Sequence, residues 1–416
     1  MRALRRHPRV LIATLGCAQI VSWGTTYYAF PLFVLPMAES LGWSLTLLNG
    51  AATAGLLITG LCAYPIGALI DRHGGRYIMA AGSFCAAVLL ALWSTIADPY
   101  AFYAIWLGLG ACMAAILYEP VFAVLTQHFG TDARRAITTL TLIAGFAGTV
   151  FIPLTETLIG LLPWRMVLLI LAAFNLAIGV PLHWFFIPEK RKDHLFHVDG
   201  DEAGSDAGRD LMRERLGNPV FWGLAVWFTA WMGTVSGVMF QIVPYLKSSG
   251  VDTATMLVAV ALIGPMQVTG RVIMMLFGER MRIVVVGAVT TLMMPAAILI
   301  LILAPPQLRW LGLFAAGFGI ANGIITILRG IAPAEWLGRE HYGKLMGAMG
   351  APMMVAAALA PLTTAAIWSK TGDPAMMLWA VFGVSLTGTA GFWFAVFVRA
   401  RRGTSAFEET HSKDFR

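Results

Sequence analysis

The stretch GALIDRHGGR, residues 67–76, is a charged island between two apolar runs. Residues 44–69 before it and 77–97 after it contain no Asp, Glu, Lys or Arg. Each run is long enough to cross a hydrocarbon core of about 30 Å as a helix rising about 1.5 Å per residue. The island cannot enter lipid, because two arginines and an aspartate would lose their water. Its glycines break helical continuity. It therefore reads as a short loop at a membrane surface, joining two spanning helices.

The rest of the chain repeats that pattern. It has 416 residues, 58% hydrophobic and 12% charged, with mean hydropathy +0.75. A soluble chain would carry about 25% charge, so the solvent is lipid. Twelve apolar runs read as spans: 10–36, 44–69, 77–97, 100–126, 136–160, 165–187, 219–246, 253–277, 283–303, 310–333, 344–369 and 375–398. The first follows a basic N-terminus like a signal peptide, but it runs too far for one and is read as retained. The four cysteines, Cys17, Cys62, Cys85 and Cys112, lie inside apolar runs without paired spacing, so neither a disulfide framework nor a metal site is expected.

Twelve spans place both termini on one side. Of the 29 basic residues, 23 fall on the face of the termini and 4 (Arg165, Lys247, Arg309, Lys370) on the other. Arg271 and Arg329 lie within spans. The bias puts both termini in the cytoplasm of a plasma membrane, with a bacterial inner membrane expected. The net charge of +7 sits in short loops, which argues against nucleic-acid binding. The polar segment 189–218 divides six spans from six and reads as a cytoplasmic linker, with RDLMRERL able to form a surface helix. The expected domains are an N-terminal six-helix bundle over 1–188, that linker, and a C-terminal bundle with a short tail over 219–416. An offset of 208 residues aligns Trp23 with Trp231, Thr26 with Thr234, Gly42 with Gly250, Asp71-Arg72 with Glu279-Arg280, Gly130 with Gly338, and Pro153-Leu154-Thr155 with Pro361-Leu362-Thr363. The two halves therefore read as copies of one unit.

The island itself resembles the G-x-x-x-D-R-x-G-x-R signature of the major facilitator superfamily, through Gly67, Asp71, Arg72, Gly74 and Arg76. Gly67 suits close helix approach, Gly74 a tight turn, and the charged pair a bridge between helix ends. With Glu279 and Arg280 as repeat mates, these residues are the candidates for conformational gating. The resemblance covers the chain. It implies an all-α membrane protein in which two six-helix bundles, related by pseudo-two-fold symmetry, flank a central cavity and work by alternating access. Spans 1, 2, 4, 5, 7, 8, 10 and 11 would line the cavity. The charges inside spans, Glu119, Glu156, Arg271 and Arg329, all fall on those.

Span 8 contains the stretch PMQVTGRVIMM, 265–275, with no acidic or basic residue but Arg271 between Asp252 and Glu279. Gly264, Gln267 and Arg271 share one helix face, and a guanidinium fork suits a carboxylate. Snorkelling toward the cytoplasm is the competing reading for Arg271; for Arg329, near the cytoplasmic end, snorkelling or gating is the expectation. Polar and aromatic residues share faces on span 1 (Gln19, Trp23, Thr26, Phe30, with Tyr27 and Tyr28 nearby) and on span 7 (Trp227, Trp231, Thr234, Gln241, Tyr245). The candidate solute site is Arg271, Gln267, Trp23, Thr26, Tyr27, Trp231, Thr234, Gln241 and Asn322. Glu119 is the candidate for carrying a coupled proton, with a structural ion pair as its alternative. Glu156 reads as interfacial.

WGTTYYAFPLFVLPMAESLGWSLT in span 1 and QVTGR in span 8 resemble the monocarboxylate-porter-related branch. There a span-8 arginine binds the substrate carboxylate and an acid four residues earlier joins proton coupling. Arg271 matches the arginine; Gln267 stands in place of the acid, and span 1 has no lysine. The arginine that drug/proton antiporters carry on span 4 is missing from IWLGLGACM. The expected activity is secondary transport of a small organic solute, an anion such as a carboxylate, by a monomer without cofactor. Alternatives are an exporter of a drug, metabolite or metalloid, or a solute sensor. No HExxH, G-x-S-x-G or nucleotide-binding loop points to an enzyme or to ATP.

Overall fold

The computed structural model describes residues 8–189 and 210–413, apart from the side chains of Glu279 and 402–413. The linker over 190–209 and the arginines of the extreme N-terminus lie outside the described residues. Among the described residues every regular element is helical.

The chain runs through α1 (Pro8–Leu41), α2 (Leu45–His73) and α3 (Gly75–Trp93). Next come α4 (Pro99–Ile116), α5 (Tyr118–Phe129), α6 (Ala133–Ala144) and α7 (Ala147–Leu161), then α8 (Trp164–Phe186). A short helix over 210–217, covering most of RDLMRERL, precedes α9 (Pro219–Ser248). The remainder is α10 (Thr253–Phe277), α11 (Ile283–Leu303), α12 (Leu308–Trp336), α13 (Tyr342–Thr371) and α14 (Pro374–Lys413). Eleven helical stretches are long and apolar enough to cross a membrane; α4 to α7 count together as one, Pro99–Leu161. That stretch is broken at Gly130, whose φ of 53° starts a 3-10 turn.

Local chemistry explains where helices start and stop. Ser44, Asp98, Asn218 and Asp252 each accept a backbone N–H at the N-cap of the following helix. Gly42 and Gly250, mates at the 208-residue offset, both close a helix with positive φ, 68° and 73°. Two helices widen into a π turn, α1 at Gly24–Tyr28 and α8 at Asn175–Gly179. Each turn is followed within three residues by proline, Pro31 and Pro181. A proline offers no N–H to the carbonyl four residues back and pushes that carbonyl aside.

Two compact units result, Met1–Lys192 with His341–Leu359, and Asp193–Glu340 with Ala360–Arg416. Unit one has an aromatic core in which Phe30 and Trp106 lie 4.6 Å apart, and Trp93 and Trp106 5.3 Å apart. The first half of α13 joins this unit because glycines let it touch α2. A Cβ at Gly67 would overlap the Gly343 carbonyl, and one at Gly347 would overlap the backbone of Ala63. Unit two centres on Trp227, whose ring lies 4.6 Å from Phe228 and 4.8 Å from Phe392. Many large apolar side chains stay exposed, among them Leu61, Leu161, Leu303 and Leu35. Exposure of that kind is tolerable only where lipid covers it.

Candidate functional site

Arg271 sits near the C-terminal end of α10 yet is only 6% exposed. No hydrogen bond or ion pair reaches it among the described residues, and its Nε is buried without a partner. The surroundings are helix α12, which approaches so closely that only glycine fits. A Cβ at Gly270 would meet the Ile320 carbonyl, and one at Gly323 would overlap the Gln267 carbonyl. This tight seam fixes Gln267 and Arg271 relative to Asn322. The space beside Gly264 is open, with nothing within 4 Å of where a Cβ would stand.

Asn322 meets α9 across the unit. The Trp231 indole N–H donates to Asn322 Oδ1 at 3.0 Å, with both residues buried. One turn on, Thr326 donates to the Asn322 carbonyl at 2.8 Å. The Arg329 guanidinium lies over the Trp231 ring at 5.8 Å from its centroid and is 2% exposed. Arg329 thus turns inward to the indole, where snorkelling would have exposed it. Sequence reasoning missed this pairing, because the direction of Arg329 depends on α9.

The other α9 candidates separate. Thr234 is buried with its hydroxyl unpartnered. It lines a space of about 10 Å³ with Trp231, Thr291, Ser385 and Thr389, which is room for about one water. Gln241 donates to the Pro361 carbonyl at 3.3 Å. Tyr245 donates to Leu301 at 3.1 Å and borders a cavity of about 310 Å³ lined further by Ser249, Ala304, Pro305 and Trp310. That cavity has no charged residue in its lining and does not include Arg271. Trp227 belongs to the packed core.

In unit one, Trp23 gathers an aromatic cluster. Its ring lies 5.3 Å from Tyr27, 6.2 Å from Tyr28 and 5.0 Å from Tyr118. Thr26 is buried and donates back to the Ser22 carbonyl at 2.6 Å. Gln19 is also buried and donates to the Ile116 carbonyl at 2.6 Å, where α4 ends before the break at Leu117. Glu119 occupies the first turn of α5 just after that break. The side chain is half-buried and packs beside Gly350 of α13. Glu156 is exposed.

The signature loop divides its tasks. Asp71, at the end of α2, accepts the N–H groups of Gly343 at 2.9 Å and Lys344 at 2.8 Å, plus the Gln127 amide at 3.0 Å. Its charge thereby caps the N-terminus of α13. Arg76 donates to the Ile187 carbonyl at 2.7 Å and pairs with Glu189, tying α3 to the end of α8. Gly74 has φ of 80°, and Arg72 and Arg280 are exposed. The Glu279 side chain lies outside the described residues. Gln127 was not legible as an Asp71 partner, since 56 residues separate them.

The Major Facilitator Superfamily profile matches residues 15–327, more than half of the chain. The chain belongs to the Major Facilitator Superfamily. This agrees with the fold. The crystal structure of FucP, a transporter of this superfamily, in the outward conformation superposes with a TM-score of 0.72 at 16% identity, covering 93% of this chain and 98% of that one. The human organic anion transporter MFSD10 (TETRAN) gives 0.68 at 18% identity, covering 94% and 99%. At those identities the likeness is one of fold. The Bacillus subtilis (strain 168) MFS-type transporter YcxA, uncharacterized, is 30% identical over 101 residues, which is 24% of each chain. Members of the superfamily are multi-pass membrane transporters, not enzymes.

Proposed function

We propose that this superfamily member is a secondary transporter for a small organic anion, with Arg271 binding the anionic group. The observation that carries this is an arginine only 6% exposed, with its Nε buried and no hydrogen bond or ion pair among the described residues. Burying an unpaired charge costs several kcal/mol, and the cost is offset when a solute carboxylate or similar anion supplies the bidentate partner. Gln267 on α10, Asn322 on the adjoining α12 and Trp231 on α9, bonded to Asn322, would orient the solute. Trp23, Thr26 and Tyr27 of unit one, with Thr234 and Gln241 of unit two, complete the proposed set. Thr234 and Gln241 are the weakest members, given a one-water space and a backbone partner. That MFSD10 is an organic anion transporter supports the anion; Arg271 and QVTGR support the monocarboxylate-porter-related branch.

Glu119 is the proposed proton carrier, and Asp71, with Gly67, Arg72, Gly74, Arg76, Glu279 and Arg280, the gate. The break at Gly130 splits Pro99–Leu161 into two spans and supports a count of twelve, with six in each of 1–188 and 219–416. We place a monomer in the plasma membrane with cytoplasmic termini, on the basic-residue bias. Export of a toxic or surplus compound is the second reading, favoured by the neutral Gln267 where monocarboxylate porters carry an acid. The test is uptake by proteoliposomes of radiolabelled acetate, lactate, succinate, benzoate and a neutral sugar, with and without a pH gradient. Gradient-driven accumulation of at least one anion and none of the sugar is expected. Sugar uptake with no anion uptake would overturn the anion assignment.

A further inference from the structure

The two π turns of unit one face each other. Asn175 opens the turn in α8, and its Nδ2 donates to Thr25 Oγ1 in the turn of α1 at 2.7 Å. It also donates to the Leu171 carbonyl at 3.2 Å, and Thr25 donates to the Val21 carbonyl at 2.8 Å. Both residues are at most 1% exposed. Asn175 Oδ1 has no partner, so the amide is held in an apolar bundle at a cost that a leucine would not incur. The α1 turn is packed on α7. A Cβ at Gly24 would fall inside the Phe151 ring, and Gly148 leaves room for the ring of Tyr28.

The turn decides which side chains stand beside Trp23. An α-helix advances about 100° per residue, so a residue five positions on lies about 140° away around the axis. Here Ala29 N–H donates to the Gly24 carbonyl at 3.0 Å, five residues back, and the widened turn brings both Tyr27 and Tyr28 against Trp23. A regular helix would keep Tyr27 and turn Tyr28 away.

We propose that Asn175 is a positioning residue: through Thr25 it holds the π turn of α1, and so sets the aromatic face of Trp23, Tyr27 and Tyr28 that reads the solute. The last clause rests on the solute reading of that face given above. The device explains a polar residue at the centre of α8, the sixth span, which is not among those expected to line the cavity. Pro31 makes the widening available, and the amide selects the widened form over a simple kink.

The test uses full-length protein with its four cysteines replaced, carrying Tyr27→Cys or Tyr28→Cys, and labelled in proteoliposomes by a membrane-impermeant maleimide. Thr25→Val and Asn175→Leu remove the hydrogen bond with little change of shape; Thr25→Ser keeps it and serves as the rescue. The ratio of labelling rates at 27 and 28 is expected to shift at least threefold in Thr25→Val and in Asn175→Leu, and to stay put in Thr25→Ser. With the tyrosines restored, uptake of the fastest anion of the panel should show KM raised about tenfold and maximal rate within twofold. An unchanged labelling ratio in both apolar variants overturns the positioning role. A shifted ratio with unchanged KM keeps that role and overturns the solute reading of the face. If wild-type protein moves no panel anion, the labelling arm alone decides the turn.

Discussion

Arg271 is held where a charge is expensive, and no hydrogen bond or ion pair among the described residues relieves it. Arg271→Lys keeps the charge but loses the bidentate fork, so anion affinity should fall about ten- to a hundred-fold, or roughly 1.5–3 kcal/mol. Arg271→Gln should abolish transport while the protein still reaches the membrane. In detergent without solute, Arg271→Gln should melt at the same temperature or higher, because a buried uncompensated charge has been removed. Equal affinity in wild type, Arg271→Lys and Arg271→Gln, read by isothermal titration, would show that the arginine has no part in binding. Much of this residue was legible in the sequence, since no charge flanks it from 253 to 278. Its burial was not, because that depends on Gly270 and Gly323 bringing α12 against α10. Arg329 shows the same limit: position alone suggested an outward path, and in the structure it is buried with its guanidinium over the Trp231 ring of another helix.

Elements meet through two devices, glycine seams and charged helix ends. Gly67→Leu would drive a side chain into the Gly343 carbonyl and part α2 from α13. We expect it to cut the yield of folded protein in size-exclusion chromatography several-fold, against little change for Gly160→Leu, where no atom lies within 4 Å. Asp71→Asn is milder. The amide oxygen can still accept one N–H of α13, but the charge facing that helix N-terminus is gone, a loss of about 1 kcal/mol. As a gate, Asp71 should control exchange between states. Asp71→Asn should therefore slow uptake about tenfold and leave equilibrium binding of the anion within twofold; a large loss of binding at a normal exchange rate would remove Asp71 from the gate. Signature spacing made Gly67 and Asp71 legible, whereas the caps at Asp98 and Asp252 emerged only in the structure. The π turns were half legible: Pro31 and Pro181 are plain in the sequence, but the choice of a π turn over a kink rests on Asn175 meeting Thr25 across 150 residues.

At the scale of the whole molecule, hydropathy had the most to say. Apolar runs located the spanning helices because lipid removes the ambiguity that a soluble core leaves between strand and helix. One boundary was blurred in Pro99–Leu161, a nearly unbroken helical stretch interrupted at Leu117, at Gly130 with its positive φ, and at Gly145–Phe146. Orientation depends on charge instead. With 23 basic residues on one face and 4 on the other, the proposed orientation has the termini and the 189–218 linker in the cytoplasm. Lys370, exposed at the end of α13, would then face outward. In protein lacking its four cysteines, Lys370→Cys should react with an impermeant maleimide on intact cells, and Gly200→Cys should react only after the membrane is permeabilised. Arg135→Cys, exposed in α6 beyond the Gly130 break, should behave like Gly200→Cys if Pro99–Leu161 makes two passes. Labelling of Arg135→Cys on intact cells, with Gly200→Cys protected, would mean an odd number of passes between them and would replace the twelve-span arrangement.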